Sequence, residues 1–190
     1  RVMLEKSSKA QNACVLFSVG TIVYAVAFFI ETTAKTLDRA YGAVTMEYLG
    51  ESVAFIGMTI FLSEFAHFYM SRLFYLIECI LCGIAVLLVF TAEQNHIFYT
   101  EIRMDYSGAF PRLVLSYGIG FIVFMTLLAI LFIVCTWKLI TAFKKGSPIE
   151  RKRISLLIIG LLFPWFAVLV RVLGFTDGYE VSFLGLIIGF

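Results

Sequence analysis

The feature that constrains this chain most is a series of apolar stretches of membrane-spanning length, joined by short connectors of alternating charge. A helix needs about 20 mostly apolar residues to cross the hydrocarbon core of a bilayer. Five runs meet that length, at about 12–31, 43–70, 73–92, 113–143 and 154–174. A sixth opens near Val181 and continues to Phe190. The 113–143 run exceeds the hydrocarbon thickness, so it is expected to tilt or to project into the cytoplasm. Hydrophobic residues make up 61% of the 190 and charged residues 15%, with mean hydropathy +0.96. A soluble domain, about 45–50% apolar, could not bury so much in one core. The expected fold class is all-α, a polytopic transmembrane helical bundle of six spans whose first partner is the lipid bilayer.

Connector charge gives the expected orientation, because Lys and Arg concentrate on the cytoplasmic side. Of the 15 basic residues, one set of connectors and helix ends holds Arg1, Lys6, Lys9, Arg72, Lys138, Lys144, Lys145, Arg151, Lys152 and Arg153. The other side holds Lys35, Arg39, Arg103, Arg112 and Arg171, together with most of the acids. The amino end is therefore expected in the cytoplasm, and whatever follows Phe190 on the same side. The chain begins on Arg1 and stops inside an apolar run, so it reads as a fragment. No cleavable signal peptide is expected, since Lys6 and Lys9 precede a run longer than a signal core.

Several function classes are disfavoured by the same residues. Cys79 and Cys82 form a C-x-x-C, but no second pair exists and the flanks are Ile, Leu and Gly. With Cys14 and Cys135 they read as packed thiols without a disulfide framework. The basic segment at 144–153 sits between two spans, which favours anionic lipid headgroups over nucleic acid. No nucleophile–base arrangement, phosphate-cradling loop or kinase signature occurs, so no catalytic residue, metal or cofactor is expected.

Ionisable groups within a membrane are costly, which makes each a candidate. Glu64 and His67 lie three apart near the end of the second span, and Glu78 lies on the third. A hairpin turning near Arg72 would bring both carboxyls to similar depth. The cluster reads as a packing knot, as a two-state coupling element or as a proton path. A di-metal site is disfavoured, because no second E-x-x-H occurs. Toward the other side, Tyr48 and Glu51 share a face of the second span, Glu31 closes the first, and Arg171 lies near the end of the fifth. These could form an interfacial charge network or line an outward-facing pocket for an unknown small ligand, with His96 and Tyr99 on the long connector as its lid. Pro164 interrupts the fifth span and is expected to kink it.

The order of motifs resembles the N-terminal seven-helix region of bacterial sensor histidine kinases, a module also found ahead of diguanylate cyclase (GGDEF) domains. The matching elements are FFIE (28–31), EYLG (47–50), FLSEFAHF (61–68), NHIFYTEI (95–102), YGIGF (117–121), LLFPWFAVLVRVLG (161–174) and DGYEVSFLG (177–185). At Ile56 and Gly57 the chain departs from a proline that members often carry. The resemblance implies a sensory region of seven helices in a bacterial inner membrane, the first lying before Arg1, with a cytoplasmic output domain after the seventh. It implies a homodimer through the full-length protein, and residues 1–190 as one sensory domain. A proton-coupled transporter or channel subunit is the competing class. It is disfavoured by the lack of an internal repeat with matching broken helices.

Overall fold

The computed structural model describes the backbone of residues 2–107 and 111–172, with side chains for 9–107, 111–162 and Phe166. In chain order these form α1 (Val2–Thr33), α2 (Leu37–Phe65), α3 (Arg72–Phe90), the short α4 (Ala92–Asn95), β1 (Tyr99–Asp105), β2 (Arg112–Tyr117), α5 (Ile119–Lys145) and α6 (Pro148–Val172). Two compact units result. The first takes the chain up to Phe61 and Tyr69–Ile133, the second Leu62–Phe68 and the chain from Val134 onward.

Three described stretches, Lys9–Thr33, Arg72–Phe90 and Ile119–Lys145, are long and apolar enough to cross a membrane. Their surfaces are apolar on the outside as well as the inside. α1 exposes Val15, Ile22 and Phe29, α3 exposes Ile80, Leu87 and Phe90, and α5 exposes Ile122, Ile130 and Ile133. A helix hydrophobic all round belongs in lipid or in a large core. On α3 the buried positions are Glu78, Cys82, Ala85 and Val89, the i, i+4, i+7, i+11 spacing of one helical face. α2, at 29 residues, is long enough to span but carries Asp38, Arg39, Glu47, Glu51 and Glu64. The end of the fifth expected span, and all of the sixth, lie outside the described residues.

Within the first unit α1 and α2 are packed backbone to backbone. A Cβ on Gly50 would come within 2.5 Å of the Tyr24 backbone nitrogen, and one on Gly57 within 2.5 Å of the Phe17 nitrogen. Small residues at such seams let dispersion contacts hold helices together where lipid offers no hydrophobic drive. Gly57, where a proline was the family expectation, is thus a point of closest approach.

Three sequence expectations need correction. The second run does not stay helical to residue 70. α2 stops at Phe65, where the Phe68 amide donates to the Ser63 carbonyl at 3.1 Å and His67 adopts φ 54°. That six-to-one bond around a left-handed residue is a Schellman cap. The chain re-enters a helix at Ser71, whose hydroxyl accepts from the Phe74 amide. The fourth run is not helical from 113. Residues 112–117 are a strand, and α5 begins at Ile119. The fold is therefore not purely helical, because the long connector forms an antiparallel β-hairpin.

The hairpin pairs Ile102 with Leu115, Met104 with Leu113 and Asp105 with Arg112, with an irregularity at Thr100. Period-two alternation turns Ile102, Leu113 and Leu115 onto the core and leaves Glu101 and Arg103 exposed. The Gly118 amide donates to the Phe98 carbonyl at 2.8 Å and the Gly120 amide to the Ile97 carbonyl at 2.9 Å, which folds the start of α5 onto the entry to β1. A Cβ at Gly118 would lie 2.3 Å from the Ile97 oxygen, so glycine is required there.

Candidate functional site

The hairpin is seated on the helices by aromatic side chains. The core here is Tyr41 and Val44 of α2, Ala85 and Val89 of α3, Ala92, Phe98, Tyr99, and Phe124 and Leu128 of α5. Phe98 and Tyr99, neighbours in sequence, are both buried, because Phe98 lies before β1 and so outside its alternation. Phe98 lies edge-on to Tyr48 at 5.3 Å and to Phe121 at 5.7 Å, separations at which aromatic pairs contribute beyond area burial. The Tyr99 hydroxyl donates to the Tyr48 hydroxyl at 3.0 Å, and the Tyr41 hydroxyl donates to the Val89 carbonyl. Burial pushes the Tyr99 hydroxyl up from its ordinary value, so it remains a neutral donor at physiological pH. Tyr48 and Tyr99 are thus joined as the expected pocket wall and lid, and they fill the space between them. His96 is exposed at φ 51°, as the cap of α4, and lies on the outer surface of this connector.

Below that contact a polar seam runs between α2 and α3. Glu51 is half-buried and acts electrostatically on both Tyr48 and the Cys82 thiol, which is hydrogen-bonded with Ser52. Two turns further along α2, the Thr59 hydroxyl donates to Glu78 Oε1 at 2.7 Å and lies 3.0 Å from the Phe55 carbonyl. Glu78 is 0% exposed, and its Oε2 has no hydrogen-bond partner among the described residues. Ser52, Thr59 and Cys82 were not singled out in the sequence, although Ser52 and Thr59 are seven apart and so share one helical face. Glu47, a neighbour of this seam on α2, is also buried.

Glu64 and His67, three apart, do not share a helix face, because His67 lies beyond the end of α2. Both belong to the second unit. There the exposed His67 is an electrostatic neighbour of Glu150 at the start of α6. His67 and His96, the chain's two histidines, are the non-glycine residues with positive φ among those described. Glu31 is half-buried near the end of α1. α6 continues as a helix through Pro164 and Arg171, whose side chains lie outside the described residues. Cys14, Cys79, Cys82 and Cys135 form no disulfide among the described residues. Among the described residues no His, Cys, Asp or Glu cluster has the makings of a metal site.

Neither the curated proteins nor the solved structures include a match to this chain. The family whose description is the N-terminal 7TM region of histidine kinase matches residues 2–189. Apolar helices of spanning length, joined on one hairpin-capped core, agree with that assignment. The chain belongs to the family of N-terminal seven-transmembrane regions of histidine kinases.

Proposed function

We propose that the chain is the membrane-embedded sensory module of a bacterial signalling protein, relaying an extracellular or intramembrane signal to a cytoplasmic output domain. The output is a histidine kinase or a diguanylate cyclase, and the full-length protein works as a homodimer in the inner membrane. The six apolar runs are six of the seven family spans, with the amino end of this chain in the cytoplasm. Charge asymmetry supports that orientation, since Lys144, Lys145, Arg151, Lys152 and Arg153 fall on one connector and Glu101 and Asp105 on the one before it.

The observation that carries the reading is the Tyr99–Tyr48 contact. A connector on the outer side is wired by a buried hydrogen bond and ring packing to α2, and through the same core to α3 and α5. A ligand or membrane state that moves the hairpin must then move helices, as a shift between two packings requires. The sensing candidates are Glu31, Tyr48, Glu51, His96, Tyr99 and Arg171, of which Tyr48 and Tyr99 make this contact. Glu64, His67, Glu78 and Pro164 are the coupling candidates toward the cytoplasm.

The test is to assay the full-length protein in native membranes for autophosphorylation and for cyclic-dinucleotide synthesis, with and without Tyr99→Phe. Either activity, altered by the substitution at unchanged expression, supports the sensory reading. A full-length protein with neither activity and with substrate uptake that depends on Glu78 would establish a proton-coupled transporter or channel instead, the reading that a buried intramembrane acid favours.

A further inference from the structure

The turn between α5 and α6 is built so that its cations are left over. α5 ends at Lys145 and α6 starts at Pro148. The Ser147 amide donates to Glu150 Oε2 at 2.7 Å while the Glu150 amide donates to Ser147 Oγ at 3.4 Å, a reciprocal capping box. Those bonds hold the Glu150 carboxyl below its ordinary range, and they occupy the anion position at the start of α6. Arg151 is engaged as well. Its Nε donates to the Gly146 carbonyl at 2.9 Å and its Nη2 to the Lys144 carbonyl at 3.0 Å, so it caps the end of α5.

Lys144, Lys145, Lys152 and Arg153 are exposed, and none of them forms an ion pair among the described residues. Glu150 and His67 are the neighbouring titratable groups. Glu150 feels both His67 and Arg153, yet it is committed to the cap. Apolar side chains stand beside the cations in the open: Ile149 is 70% exposed, and Trp137 is 71% exposed two turns before Lys144. Seven residues of helix rise about 10 Å. With Trp137 at the membrane interface, where Trp concentrates, the four cations reach the level of the headgroup phosphates.

We propose that this turn is a docking site for the phosphodiester headgroup of an anionic phospholipid. Lys144, Lys145, Lys152 and Arg153 contact the phosphate, and Trp137 lies against the acyl chains. The capped turn holds the four cations together without the lipid, so binding does not need to order the loop first. Arg151 is excluded from the lipid set despite its charge. The proposal goes beyond the sensory reading and is independent of the output domain.

The test uses the purified full-length protein in mixed micelles, with thermal unfolding followed as phosphatidylglycerol or phosphatidylcholine is added. Phosphatidylglycerol is expected to raise Tm and phosphatidylcholine to leave it unchanged. K144Q/K145Q/K152Q/R153Q should need about tenfold or more phosphatidylglycerol for the same shift, since each basic residue near an anionic surface contributes appreciably. The double variant K145Q/K152Q should fall between, and serves if the quadruple variant does not fold. Arg151→Gln should lower Tm while keeping the phosphatidylglycerol response. An unchanged response in K145Q/K152Q, or equal protection by phosphatidylcholine, would overturn the proposal. Equal protection by inorganic phosphate at matched ionic strength would also overturn it, and would assign the cations to a soluble anion.

Discussion

Glu78 sits fully buried with one donor among the described residues, the Thr59 hydroxyl, and that donor has a second acceptor in the Phe55 carbonyl. The arrangement is asymmetric, and the asymmetry can be measured. Removing the hydroxyl with Thr59→Val leaves the carboxyl without a hydrogen bond, which costs about 1–3 kcal/mol when a buried polar group is orphaned. Replacing the carboxyl with Glu78→Met leaves Thr59 satisfied by its own helix, so stability should stay within about 1 kcal/mol. Thermal unfolding of both variants in mixed micelles checks this, and a larger loss in Glu78→Met than in Thr59→Val would refute it. If the seam also couples signal to output, Glu78→Gln should shift basal output of the full-length protein at unchanged expression. Asp105 makes a separate prediction at the hairpin end. Hydrogen bonds from Ser107, then Arg112, hold its carboxyl at about 2. A depressed carboxyl stabilises the folded hairpin above its unfolded value, and that contribution disappears as pH falls through about 2. Pepsin, active in acid, should therefore cut the hairpin faster at pH 2 than at pH 4 in the wild type. Pepsin's own activity changes over this range, so the readout is the wild-type rate divided by that of Asp105→Asn at the same pH. That ratio should rise from pH 4 to pH 2.

The seam between α1 and α2 and the break after α2 are decided at the level of the element. A methyl at Gly50 would meet the Tyr24 backbone at 2.5 Å, and backbone cannot move aside as a side chain can. Gly50→Ala should cost about 1–3 kcal/mol as overpacking. Gly83 on α3 has nothing within 4 Å of its added carbon, so Gly83→Ala should be neutral or stabilise by up to about 1 kcal/mol through helix propensity. Unfolding of the pair in the same micelles separates close approach from glycine as such. The α2 break shows how much of the fold could be seen in the residues. Apolar length located α1, α3 and most of α5, because burial in lipid asks only for composition. FLSEFAHFYMS reads as continuous helix, with neither Gly nor Pro at its end, since His67 occupies the left-handed position that glycine usually takes. Ser71, followed by an apolar run, was the legible signal that a new helix begins. RLVLSY reads equally as strand or span, and what selects the strand is its partner at 99–105, a pairing that local periodicity does not contain. The candidate residues were legible as types out of place in lipid. Their partners were not, because Thr59 and Ser52 are ordinary in a helix until α3 packs against them.

Across the first unit as a whole, the hairpin and the helices share one core, and the Tyr99–Tyr48 bond is a polar link across it. Both hydroxyls can be removed with the rings left in place, so the bond can be weighed apart from the packing. A buried bond between neutral hydroxyls contributes about 0.5–1.5 kcal/mol net. If one of two signalling packings makes that bond and the other does not, its loss changes their ratio by about twofold to tenfold. Tyr48→Phe and Tyr99→Phe should each shift basal output of the full-length protein by a factor in that range, in the same direction. Because each substitution removes the same bond, the double variant should shift output no further than either single one. Autophosphorylation or cyclic-dinucleotide synthesis in membranes, at matched expression, supplies the readout. Additive effects would mean that the two hydroxyls act through separate partners. The route from hairpin to helices would then rest on ring packing around Phe98, whose edge-on contacts with Tyr48 and Phe121 survive both substitutions.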